Sequence, residues 1–427
     1  MIPRWLAVAG CLVGSVAIAA CGSSNKSSSG TSSGGGGGGG NNVTVYTSLP
    51  FDPTDRQQTN DVVKGEKLAL AQVNNKVGPC NITFKQLDDS TAQAGQWDAG
   101  QTSANARKAA QDKSAVGYIG EFNSGASAIS IPILNQAPLM QITPSNTALE
   151  LTKNPGPSGK GAPDKYYPSG KRTFARVVPA DHIQGAALGD WMKELGVKKL
   201  YEANDKQVYG SGVAKTTSDA AKLNGIQVVA NDGIDIKAPN YRALAQKVKS
   251  SGADAFFFGG ITASNGVQLY KDVYAVNPNI KLFGPDGVAE TSFTSKIPPG
   301  AQKNSYITVA TIDPKDYPPE GQKFFKDFKA KYGGATPEPY AIYGYEAMSL
   351  LLDSMKRAGA SCNDRQAVID QVYKTKNKPS VLGSYSIDKD GDTTVNQFGR
   401  YFIKNGKLSY SKTVIVKKDS YGRPLGA

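Results

Sequence analysis

The residues best placed for chemistry are two runs of small polar side chains. Gly120-Glu121-Phe122-Asn123-Ser124-Gly125-Ala126-Ser127 and Thr143-Pro144-Ser145-Asn146-Thr147 each follow a short apolar stretch. Hydroxyls beside free backbone N–H groups at helix starts make a cradle for a carboxylate. Ser124 and Ser145 could equally be ordinary helix caps, and both readings stand at this point. Catalytic machinery is harder to find. The one histidine, His182, follows Asp181 at a predicted helix start, where Asp181 is a good N-cap. It reads as structural or surface. The chain has no G-x-S-x-G elbow, no phosphate loop, no H-E-x-x-H and no G-x-G-x-x-G after a strand. Asp388-Lys389-Asp390-Gly391-Asp392 resembles the start of a calcium loop, but its glycine is misplaced and Gly399 stands where the loop needs a glutamate. It reads as a hairpin turn. An enzyme, a resident cofactor and a bound metal are therefore not expected.

Parallel strands flanked by helices must position these loops. From Val43 onward short apolar runs alternate with helical periodicity. Strands are expected over 43–48, 82–87, 116–119 and 139–142, with helices over 61–74, 102–112 and 127–134. A second series starts after Pro179. It has helices over 182–194, 211–224, 241–250 and 267–274, and strands over 199–202, 226–229, 255–258 and 281–283. Two such series exceed one comfortable sheet and predict two doubly wound α/β lobes. The last third adds helices over 324–332, 341–358 and 364–374. Three antiparallel strands follow, over 383–387, 400–403 and 412–416, with turns at Asp390-Gly391 and Asn405-Gly406. Residues 152–172, rich in Pro, Gly and Lys, show no periodicity and read as a functional or mobile loop.

The first residues point outside the cytosol. Arg4 precedes an apolar run from Leu6 to Ala20, too short and too rich in small residues for a membrane span. Ile18-Ala19-Ala20-Cys21-Gly22 is similar to the bacterial lipobox, in which the signal is cut before a cysteine that then carries lipid. Residues 1–20 are thus expected to be a lipoprotein signal peptide, with Cys21 acylated. Residues 21–42 follow as a Ser/Gly tether, unbroken glycine from Gly34 to Gly40, which cannot bury enough apolar surface to fold. A coil of about 20 residues spans roughly 25 Å. No later apolar stretch has transmembrane length. Of the four cysteines, the two in the folded part are Cys80 and Cys362. In an oxidising compartment a disulfide is the simplest reading, two inert thiols the other. The formal net charge is +13. An export signal and the lack of any recognition helix argue against nucleic acid, leaving solubility or docking on an anionic envelope.

Across 43–416 the landmarks resemble the leucine/isoleucine/valine-binding family of ABC-importer receptors, the type I periplasmic binding fold. They are Leu87-Asp88-Asp89, Tyr118-Ile119-Gly120 with Ser124, Ile142 to Thr147, Arg176 to Asp181 with Gln184-Gly185, Tyr209-Gly210-Ser211-Gly212, Gly284-Pro285-Asp286-Gly287-Val288 and Tyr340 to Ala347. The resemblance implies two lobes joined by a three-crossing hinge, lobe one from 43–179 and 310–380 and lobe two from 180–309 and 381–420. It assigns Ser124, Ser145 and Thr147 to a ligand α-carboxylate, Asp286 to the α-ammonium, and Tyr209 and Tyr340 to the cleft walls. Asp286 replaces a glutamate, and Ile261 stands where a family member has tyrosine, which puts the side-chain preference in question. Both half-cystines would fall in lobe one. Hinge closure would bring Asp286 and Tyr209 down on a ligand already held by lobe one.

The expected function is that of a monomeric, lipid-anchored extracytoplasmic receptor. It would bind an amino acid, branched-chain or otherwise aliphatic, and pass it to a membrane permease. The alternatives are the same receptor class for an amide, urea-like or aromatic acid ligand, a surface enzyme on this fold, and a sensory ectodomain. The enzyme would need a polarised nucleophile and base, and the sensory domain a transmembrane helix.

Overall fold

The computed structural model describes residues 41–156, 159–334 and 336–425; the signal reading and the tether reading up to residue 40, Cys21 included, lie outside them, and Asn42, expected to end the tether, already belongs to a strand. The first sheet runs, edge to edge, through Lys76–Val77, Cys80–Asp88, Asn42–Leu49, Ala115–Gly120, Met140–Thr143 and Phe174–Arg176. All its pairings are parallel except the short edge pair of Lys76–Val77 with Cys80–Asp88. Asn42–Leu49 lies third in that order and is buried at every position after the first. Continuous burial is what a strand covered by helices on both faces requires, and its Val, Tyr and Thr residues suit it.

The second sheet is ordered Gln227–Gly233, Lys199–Asn204, Ala255–Gly259, Lys281–Gly284, Ser305–Val309, Gln397–Lys404 and Lys407–Ile415. Its first five strands are parallel and its last two antiparallel. The closing hairpin turns at Asn405 and Gly406, whose φ values of 50° and 73° are those of a type I′ turn. The chain thus forms two α/β lobes, each with its carboxyl-end loops toward the other.

Two helices brace the first lobe. Arg56–Gln72 and Ala341–Ala358 approach so closely that a Cβ on Gly65 would sit 2.2 Å from the Ala341 carbonyl oxygen. A Cβ on Gly344 would sit 2.4 Å from that of Val62. Glycine at both positions lets the backbones touch. Cys80 and Cys362 are joined by a disulfide with Cα atoms 6.3 Å apart, tying the edge of the first sheet to the turn beyond the long helix.

Four local expectations need correcting. Residues 383–387 are not a sheet strand: they make only isolated bridges, Lys378 with Tyr385 and Ile387 with Thr393. The alternation is real but serves another partner. Tyr385 and Ile387 are buried in the core that holds the long helix, and the Tyr385 hydroxyl donates to Glu346 Oε1 at 2.7 Å. Phe174–Arg176 and Ser305–Val309 are strands that the sequence pattern did not single out. Asp181 is not an N-cap but the first residue of the helix Asp181–Glu194, capped at Ala180. Within the described part of 152–172, residues 162–167 are anchored to a small core while most of the rest is exposed. Tyr166 and Tyr167 are buried with Ile131, Leu151 and Phe174.

Candidate functional site

A small cavity of about 30 Å³ lies where the loops of the two sheets face each other. Ser124, Ser145, Tyr209, Ile261, Asp286 and Tyr340 all line it. Four of these come from separate strand-end loops, brought together by the shared rule that such loops point beyond the carboxyl edge of a parallel sheet.

The first-lobe side is a pole of hydroxyls and amides. Ser124 opens the helix Ser124–Gln136, so its free N–H groups carry the positive end of the helix dipole. Its Oγ accepts from the Ala148 N–H at 3.3 Å. Ser145 donates from Oγ to the Phe122 carbonyl at 2.7 Å, and the Asn146 amide donates to the Glu121 and Phe122 carbonyls at 2.9 and 2.7 Å. These bonds lock the two loops to one another. Arg176, fully buried, braces them from behind: it donates to the Asn146 and Ala148 carbonyls at 2.7 and 3.0 Å and to Asp392 Oδ1 at 2.8 Å. The turn at Asp388 to Asp392 is thus matched by protein cations, with Lys153 Nζ at 2.6 Å from Asp388 and 3.0 Å from Asp392.

The second-lobe side is a carboxylate pole. Asp286 follows the strand Lys281–Gly284 and accepts from the Tyr209 hydroxyl at 2.9 Å and from the Tyr340 hydroxyl. Tyr209 belongs to the second lobe and Tyr340 to the first, so one carboxylate links both. Burial pushes the Asp286 carboxyl up, and the Tyr340 and Tyr209 hydroxyls hold it back. Burial and the Asp286 charge push both phenols well above their ordinary range, so they remain donors. The Phe122 ring meets Tyr340 edge-on at 5.6 Å, giving the cavity an aromatic wall.

Thr147 does not line the cavity. Its carbonyl accepts from the Asp181 N–H at 2.8 Å, and its hydroxyl lies beside the Asp181 carboxyl. Asp181 does not line the cavity either, but it is a second carboxyl behind the wall, close enough for its charge to act on Tyr209 and Tyr340. It is fully buried, and neither oxygen has a hydrogen-bond partner among the described residues. Burial pushes it up to about 8, with the Thr147 hydroxyl opposing and the Asp286 charge adding to the rise.

The sequence reading missed Asp55 and Gln58 on the cavity wall, and gave no separate role to Phe122 and Asn123 in the Gly120–Ser127 run. The signal was available for Asp55, because residues 50–55 follow the carboxyl end of Asn42–Leu49 as the other loops follow their strands. Trp97 carried no such signal. It comes from the small pair of strands Ser90–Thr91 and Gln96–Trp97, and its Nε1 donates across the lobes to Gln207 Oε1 at 3.0 Å. His182 is buried in its helix and is pushed down to about 4 by that burial, which suits a neutral packing role.

Known proteins share this architecture. A family model described as periplasmic binding protein matches residues 54–404. The chain is 26% identical over 292 residues to an amino acid binding protein of Pseudomonas aeruginosa, covering 68% of this chain and 72% of that one. It is 26% identical over 355 residues to a Leu/Ile/Val/Thr-binding protein of Salmonella typhimurium, covering 82% and 88%. A leucine binding protein structure from Thermotoga maritima superposes with a TM-score of 0.75 at 22% identity, covering 87% of this chain and 98% of that one. A solute binding protein from R. palustris in complex with benzoate gives a TM-score of 0.71 at 20% identity, covering 90% and 97%. The relatives are binding proteins rather than enzymes, and the match spans most of both lobes: this chain belongs to the periplasmic binding protein family.

Proposed function

We propose that this protein is the extracytoplasmic solute-binding component of an ABC importer, holding an amino acid between its lobes. The observation that carries the reading is the opposition of two poles in one cavity. Ser124 and Ser145 offer hydroxyls and a helix N-terminus on one side, while Asp286 offers a carboxylate on the other. A zwitterion has the matching charges: its carboxylate suits the helix N-terminus and its ammonium suits Asp286. Ser124, Ser145 and Thr147 are assigned to the carboxylate side, Asp286 to the ammonium, and Tyr209, Ile261 and Tyr340 to the walls. Thr147 stands behind the cavity surface and would support the carboxylate side through the loop it shares with Ser145. The names of the relatives, Leu/Ile/Val/Thr-binding and amino acid binding, favour an amino acid, the aliphatic class included.

Binding would be read as a change of lobe position. Tyr340 with Asp286, Trp97 with Gln207, and Thr291 with Glu338 at 2.6 Å already bridge the lobes. A ligand that contacts both sides adds to these bonds and shifts the population toward closure, the shape a permease can recognise. No helix of the described residues is long and apolar enough to cross a membrane. Attachment would come through lipid on Cys21, followed by the Ser/Gly tether. Membrane fractionation of the wild type and Cys21→Ala tests this, and equal release of both into the soluble fraction would refute it.

A thermal-shift screen against amino acids, amides and aromatic acids tests the ligand class. The reading predicts that amino acids raise the melting temperature. Stabilisation by benzoate alone would favour the aromatic-acid class, for which the R. palustris complex is the precedent.

A further inference from the structure

The amino-acid reading uses two poles of the cavity and leaves a third side unexplained. Asp55, Gln58 and Asn123 line the same cavity from the first lobe, away from the Ser145 and Asp286 loops in sequence. Asp55 and Gln58 are each 2% exposed and Asn123 is 8% exposed. Among the described residues Asp55 Oδ2 has no hydrogen-bond donor other than Asp52, and Gln58 Oε1 and Asn123 Oδ1 have none. Three buried acceptors on one wall constitute a standing cost unless a donor arrives, since an unmet buried polar atom loses its water without compensation.

The charge around this wall has one sign. Asp52 stands beside Asp55 and the two carboxyls face each other in a side-chain hydrogen bond, with no donor from any other residue reaching Asp52 Oδ2 among the described residues. Glu290, from the second lobe, accepts from Thr262 Oγ1 at 3.1 Å and Ser292 Oγ at 3.3 Å. Burial, then the charge of Asp55, then that of Glu338, push its carboxyl well above its ordinary value. Burial and Asp52 do the same to Asp55. Carboxyls crowded in this way favour a cation placed among them, because it relieves both the repulsion and the burial. An aliphatic end group would cover these acceptors without pairing any of them. Ile261 and Phe122 supply apolar contact in the same cavity, as the methylene stem of a long side chain would need.

We propose that the Asp55–Gln58–Asn123 wall is a subsite for a positively charged, donor-rich end of the ligand, an ammonium or guanidinium group. The receptor then prefers a basic amino acid to an aliphatic one of the same shape. This inference rests on the amino-acid reading and names its side-chain class.

L-Ornithine and L-norleucine are matched probes, alike in length and differing in a terminal ammonium against a terminal methyl. Each is titrated calorimetrically into the full-length protein at pH 7. Ornithine is expected to bind at least about tenfold more tightly. In Asp55→Asn and, separately, Gln58→Leu, the advantage is expected to shrink to about threefold or less. The wild-type comparison decides the matter even where a variant folds poorly. Norleucine binding as tightly as ornithine, or more tightly, overturns this inference and leaves the amino-acid reading intact. Binding of neither probe overturns both.

Discussion

Replacing Asp286 by asparagine removes one charge from the cavity and keeps its shape. The carboxylate is 5% exposed and accepts two phenolic hydroxyls, one from each lobe. A ligand ammonium at this pole would pair with a charge that has little water to fall back on. Truncating one partner of such a desolvated charge pair costs about 2–5 kcal/mol. At about 1.4 kcal/mol per tenfold, affinity should fall between about 30-fold and a few thousandfold. The free protein should respond differently. Burial already disfavours the ionised form of Asp286, so a neutral amide costs the unliganded fold little. Its melting temperature is expected to change by no more than about 1–2 °C, the shift that roughly 1 kcal/mol produces in a chain of this size. Calorimetry with the best amino acid from the screen reads the first effect and a ligand-free melt the second. An Asp286→Asn protein that binds as tightly as wild type would refute the ammonium assignment, and with it the two-pole reading of the cavity.

Asp181 makes the pH dependence of the fold measurable. Its carboxyl, held up at about 8, keeps its proton in the folded protein over a range where the unfolded chain, near 4, has lost it. The folded state therefore binds more protons across that window, and stability falls as pH rises through it. Asp181→Asn should reduce the loss between pH 5 and pH 8, on the order of a few kcal/mol by denaturant titration, and an unchanged pH slope would contradict the burial argument. Reduction of Cys80–Cys362, which closes a separation of 282 residues, should destabilise the fold by up to about 5 kcal/mol. Free thiols at both positions in secreted protein, found by mass spectrometry of unreduced peptides, would count against that link. Trp97→Phe removes the Nε1 donor to Gln207 while keeping a ring against Gly125, where a Cβ would sit 2.6 Å from the indole. Ligand dissociation should quicken by about five- to tenfold, as loss of one hydrogen bond across the cleft implies, and an unaltered off-rate would show that this bond does not hold the lobes together.

The alternation of apolar runs and helical periodicity carried most of the fold, because parallel strands covered on both faces read as short continuous apolar stretches. Phe174–Arg176 is three residues long, below the length at which any period is visible. Residues 383–387 show the opposite limit. Tyr385 and Ile387 alternate correctly, but periodicity does not say which neighbour receives the buried face, and here it is the Glu346 helix. The site was legible where a loop followed a recognised strand, as at Ser124, Ser145 and Asp286. It was illegible at Asp181, whose position at a helix start has a sufficient local explanation. Its N–H goes instead to the Thr147 carbonyl, and its carboxyl is left buried behind the cavity wall. Trp97 reaches Gln207 across more than a hundred residues, a contact that only the assembled lobes create.

If the cavity recognises both ends of a zwitterion at once, removing either end should cost affinity. Leucine, 4-methylpentanoic acid, which lacks the ammonium, and 3-methylbutylamine, which lacks the carboxylate, are titrated into the protein in parallel. Leucine is expected to bind and each truncated analogue to be weaker by about a hundredfold or more, because each leaves one buried pole unpaired. Binding of the acid as tightly as leucine would refute the two-pole reading, because Asp286 would then contribute nothing to recognition.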